Sequence, residues 1–108
     1  MIVFSDFLKE IKKLNLREIR SDTENFLECV VEISFSTQLK NSLESYFGPA
    51  LKPTGEIPTK KAEEIAAPFG GVRQNQTLYY CQRSSLGYAT MIWPWGDGVL
   101  MTVKIFQL

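Results

Sequence analysis

Apolar residues recur along this chain at two different spacings. Phe4, Phe7, Leu8, Ile11 and Leu14 fall at i, i+3, i+4, i+7 and i+10, which places them on one side of a helix. Lys9, Glu10, Lys12 and Lys13 occupy the remaining circumference. The spacing predicts a helix over 5–14, capped by Ser5 or Asp6 and stopped by Asn15 in a left-handed conformation. Leu16 to Arg20 reads as a short edge strand, and Ser21 to Asn25 as a polar turn. From Phe26 the period drops to two. Leu27, Cys29, Val31, Ile33 and Phe35 alternate with Glu28, Glu32 and Ser34, predicting a strand over 26–35 with one buried and one wetter face.

The helical period returns at Leu39, Leu43, Tyr46 and Phe47, behind Ser36 or Thr37 as cap, and Gly48-Pro49 ends it. Residues 50–59 contain Pro53, Gly55 and Pro58 without periodicity and read as a connector. A short third helix over 60–67 is capped by Thr59 and ended by Pro68, and its small-residue stripe of Ala62, Ile65 and Ala66 suits close packing on a sheet. Strands are predicted near 77–83, 87–93 and 99–107, joined by hairpin turns at Ser84-Ser85 and Gly96-Asp97-Gly98. In the middle strand Ala89, Met91, Trp93 and Trp95 share one side, with Tyr88, Thr90 and Ile92 on the other. In the last, Val99, Met101, Val103 and Ile105 are expected to face the core.

The pattern implies one domain spanning 1–108. Its fold class is α+β: a two-layer sandwich with an antiparallel sheet of four to five strands, ending in a C-terminal β-meander, and two to three helices on one face. From Gln76 to Leu108 only Arg83, Asp97 and Lys104 carry charge. So apolar a sheet needs cover on both faces. The three helices are expected to cover one face and cannot cover both, so the other exposes a patch larger than monomers usually leave. A second copy of the chain then packs there, or the sheet encloses a pocket lined by Tyr79, Tyr80, Tyr88, Trp93 and Trp95.

Composition narrows the chemistry. The chain has 12 basic and 12 acidic residues and no histidine. Without histidine the usual general base and the commonest metal ligand are both missing. Cys29 and Cys81 fit no zinc spacing and read as buried free thiols. Glu28 and Glu32, about 13 Å apart along a strand, are too distant to share a proton. No catalytic constellation is legible and no cofactor or metal is expected, so the reading leans away from an enzyme. The loop from Phe69 to Gln76 has the glycines and the arginine of a phosphate cradle, but it precedes a strand and lacks the Gly-Lys-Ser/Thr ending of a P-loop. It reads as a plain turn. Met1 to Phe4 show no basic export signal and no run is long enough to span a membrane, so the expected compartment is cytoplasmic and no membrane partner is expected.

The leading functional expectation is a non-enzymatic interaction module that homodimerises through its aromatic-rich sheet face. The alternative is a protein that binds a small apolar or cationic ligand in the aromatic pocket, with Arg73 or Asp97 as polar anchor. Single-stranded nucleic acid, stacking on the same rings, ranks third because the chain has no net charge.

Overall fold

The computed structural model describes residues 3–108. Met1 and Ile2, where the reading of the amino terminus begins, lie outside them. The chain runs α1 (Phe4–Lys12), β1 (Leu16–Asp22), β2 (Phe26–Glu32), α2 (Ser36–Phe47), α3 (Lys60–Ala66), β3 (Thr77–Arg83), β4 (Leu86–Pro94) and β5 (Leu100–Gln107). All five strands join one antiparallel sheet in the order β1-β2-β5-β4-β3. The fold is therefore α+β, and β3-β4-β5 form the C-terminal meander.

Local chemistry accounts for most boundaries. Thr59 caps α3 by accepting from the Ala62 N–H at 3.2 Å. Gly48 ends α2 at φ 81°, where a side chain would be strained. Ser84 and Ser85 both take positive φ (52° and 68°), the turn geometry that matches the right-handed twist of a hairpin.

Several expected boundaries differ. Val3, not Ser5 or Asp6, occupies the α1 cap position, and no side chain bonds there. Asn15 does not turn left-handed; Leu14 and Leu16 are instead joined by a tight main-chain bond of 2.8 Å. Strand β2 stops at Glu32, and Ile33–Phe35 form a 3₁₀ turn that runs into α2. The Ile33 N–H bonds the Val99 carbonyl at 2.8 Å, so the chain leaves the sheet beside the β4–β5 turn. Val99, expected in the core, is 53% exposed because regular pairing begins only at Leu100.

On the first face of the sheet, α1 contributes Phe4, Phe7, Leu8 and Ile11, and α2 contributes Leu39, Leu43, Tyr46 and Phe47. They pack on Leu27, Cys29, Val31, Tyr79, Tyr88, Ile92, Val103 and Ile105. Phe7 stacks on Tyr46 at 4.3 Å, and Phe4 lies 4.6 Å from Tyr88. Arg83 completes this layer. Its guanidinium sits 4.3 Å above the Tyr46 ring and donates to the Tyr46 carbonyl in the last turn of α2.

The third helix does not join the other two. Ala62 and Ala66 of α3 pack on Leu78, Ala89, Met91 and Phe106, which point to the opposite face. Methyl-sized side chains let the helix lie close to the strands, and Phe69 just beyond it contacts Phe106 at 4.1 Å. The need for cover on both faces is thus met largely from within the chain. Helix α3 spans only seven residues; its cluster takes in β3, β4 and Phe106 of β5, with Phe26 and Trp93 packed against it.

Cys29 and Cys81 are free thiols on strands separated by β5 and β4, about 14 Å apart at sheet spacing. That is well beyond disulfide reach. Cys29 is buried and Cys81 half-buried.

Candidate functional site

The half of the second face that α3 leaves open is built from β1, β2, β5 and the end of β4. Register puts Val30, Thr102 and Trp93 in one row, and Glu28, Lys104 and Met91 in the next. Trp95 follows Pro94, the last residue of β4. Its main-chain N–H still bonds the Leu100 carbonyl at 2.8 Å, and its indole Nε1 donates to Thr102 Oγ1 at 2.8 Å. Two bonds therefore lay the ring over β5.

Strand β1 is bulged, with its register against β2 shifting between Ile19 and Ser21. Bulges re-aim side chains, and here Arg20 reaches across β2 until its guanidinium lies 5.4 Å from the Trp95 ring. Arg20 Nε also donates to Glu18 Oε2 at 2.9 Å. Val30 lies on β2 between these partners and is only 1% exposed, although α3 is not above it. Beside it, Lys104 Nζ stands 4.9 Å over the Trp93 ring rather than pairing with Glu28 opposite. The result is two half-buried indoles side by side, each with a cation on its face, flanked by Glu18 and Glu28.

Asp97, expected as a polar ligand anchor, sits exposed in the β4–β5 turn. Its Oδ1 accepts from the N–H groups of Val99 at 2.9 Å and Leu100 at 3.1 Å, bracing the turn that follows Trp95. These main-chain donors hold its carboxyl below the usual carboxylate range.

The aromatics singled out from the sequence divide between the two faces. Tyr79 and Tyr88 lie in the core under α1 and α2, whereas Tyr80, Trp93 and Trp95 are on the second face. No single pocket gathers all five. Tyr80 is paired with α3, Lys61 Nζ standing 5.8 Å from its ring. Arg73 sits exposed in its loop, where its N–H bonds the Gln76 side chain at 2.9 Å.

Comparison with protein-family models, with curated proteins and with solved structures returned no match. The reading of the site therefore rests on its own geometry. Among the described residues, no group of three or more Asp, Glu or Cys converges to hold a metal ion. Glu32 pairs with Arg17 at 3.4 Å, and Glu28 lies a strand-width from Lys104. Burial pushes the Cys29 thiol up to about 12 and raises that of Cys81 as well, against the lowering effect of Arg83, which disfavours the thiolate form of both.

The most unusual polar residue went unnoticed in the sequence. Lys52 is 1% exposed, and its ammonium donates to the carbonyls of Gln74 and Gln76. The glycine-rich loop does cradle an ion, but with carbonyls instead of amides, and the ion is the chain's own lysine. Nothing in Leu51-Lys52-Pro53 signals this, because the partners are main-chain atoms more than twenty residues away.

Proposed function

We propose that this protein is a non-enzymatic interaction module that pairs reversibly with a second copy of itself through the open half of its second sheet face. Trp93, Trp95 and Arg20 form the centre of that contact. The observation that carries the reading is the pair of half-buried indoles with an arginine laid beside one of them and a lysine over the other, Trp93 packing at the margin of the α3 cluster and Trp95 lying beyond it. Trp and Arg are the residues in which binding energy concentrates at protein interfaces. Two acids, Glu18 and Glu28, and two bases, Arg20 and Lys104, give the patch no net charge. A two-fold related copy can then set its acids against the other's bases, as an isologous interface requires.

The patch is about four strands wide, or roughly 15 Å across. That is small against the ~800 Å² per partner usual in stable complexes, which is why the association is proposed as concentration-dependent. Sedimentation or light scattering from micromolar to millimolar protein tests it. The expected result is a mass rising from 12.3 kDa towards twice that value. Arg20→Glu, a substitution at an exposed position, should return the monomer. A mass fixed at 12.3 kDa throughout overturns the proposal.

A further inference from the structure

A second site lies on the other side of the sheet, independent of the tryptophan face. The segment entering α2, the ends of β4 and β5, and the start of β3 do not close completely. Between them is a recess of about 130 Å³ walled by Ile33, Ile92, Pro94 and Met101. At Lys40, Thr54 and Thr77 it meets a wider cleft of about 370 Å³ that is also lined by Glu44 and Tyr79. A dry, apolar cavity of about 150 Å³ is enough to admit a benzene-sized guest, so the recess has room for a branched aliphatic side chain.

The polar groups at its mouth are conspicuously unspent. Lys40 and Glu44 lie one turn apart on α2, and among the described residues neither enters an ion pair, with each other or with anything else. Lysine preceding glutamate by four residues is the less favourable order for such a pair, which leaves both free for a guest. Tyr79 is only 2% exposed and lines the cleft, yet its hydroxyl has no hydrogen-bond partner among the described residues. The carboxylate of Glu44 faces that hydroxyl closely enough to reinforce the effect of burial in raising its pKa. By contrast, Thr54 and Thr77 satisfy each other. The Tyr79 hydroxyl borders an open cleft and is therefore available to a ligand.

We propose that this cleft binds a free α-amino acid with a branched aliphatic side chain. Its carboxylate meets the Lys40 ammonium, its ammonium meets the Glu44 carboxylate and the Tyr79 hydroxyl, and its side chain fills the recess. A cation and an anion one helical turn apart, beside an apolar hole, match a compact zwitterion better than an ion of single charge. The apolar walls select against glycine.

The test is titration of L-leucine into protein labelled at its Ile and Met methyl groups. Shifts at Ile33, Ile92 and Met101 are expected, and glycine at the same concentration should produce none. Lys40→Ala and Glu44→Gln alter exposed side chains that bond nothing in the fold, and each should weaken leucine binding about tenfold. 4-Methylpentanoate, which lacks the amine, should bind as weakly to the wild type as leucine binds to Glu44→Gln. No methyl shift at tens of millimolar leucine overturns the proposal, as does undiminished binding by either variant. Equal affinity for 4-methylpentanoate overturns the zwitterion and leaves an apolar carboxylate as the ligand.

Discussion

Lys52 carries its charge into the interior with no carboxylate bonded to it. Burial lowers its pKa, while its ammonium joins the loop before β3 to the connector after α2 through the carbonyls of Gln74 and Gln76. A pair of main-chain bonds between Lys52 and Leu78, at 3.0 and 3.1 Å, fastens the same place. Lys52→Met keeps the apolar stem and strips both carbonyls of their donor. It should cost about 2 kcal/mol, read as a lower urea midpoint at unchanged slope. Asp97 makes a pH-dependent prediction. Its pKa is depressed in the folded chain, so its contribution is present in full above the ordinary carboxylate range and disappears as pH falls through the depressed value. In Asp97→Asn the side-chain oxygen can still accept from Val99 and Leu100, but the charge is gone. Thermal melts should find the variant less stable at pH 7, with the gap closing as the solution is acidified.

At the scale of elements, helix α3 rests on the sheet through small side chains. Ala62 and Ala66 meet the strands directly, so Ala62→Leu forces the helix away from Leu78 and Met91. A loss of about 1–3 kcal/mol is expected, measured as a fall in the denaturant midpoint. Its small-residue stripe made close packing legible from the sequence, but the side of the sheet was not. Tyr88 and Ile92 on one face, and Ala89 and Met91 on the other, offer a helix two apolar beds. The choice is made by what α1 and α2 already occupy. The alternation that revealed β2, β4 and β5 was reliable because each has at least one fully buried face. The same alternation overran at Ile33–Phe35, whose apolar side chains suit a strand and also the 3₁₀ turn that leads into α2. The bulges of β1 left no trace in its spacing, so the path of Arg20 to Trp95 could not be read from position alone.

At the scale of the molecule, the four seams of the sheet are of two kinds. Pairings β1–β2, β3–β4 and β4–β5 join neighbours in sequence, while β2–β5 brings residues 26–32 against 100–106. That long-range seam carries the candidate interface, for Val30, Thr102, Glu28 and Lys104 all lie along it. The outer edges suit the proposed use of a face rather than an edge. Strand β1 is bulged and carries Arg17, Glu18 and Arg20, and one end of β3 is already paired with Lys52. Of the candidate aromatics, the residues near the β4–β5 turn were legible as the distinctive feature, but their neighbours on the face were not, because those arrive from β1 and β2.

The chain contains two tryptophans, and both lie on that one patch. Its ultraviolet emission therefore comes from a single place, and docking there should change the spectrum. With Arg20 and Lys104 over the two rings, dissolved iodide should be drawn in and dim the light more strongly than caesium at equal concentration. A protein built this way arrives with its own lamp at the door it is proposed to open.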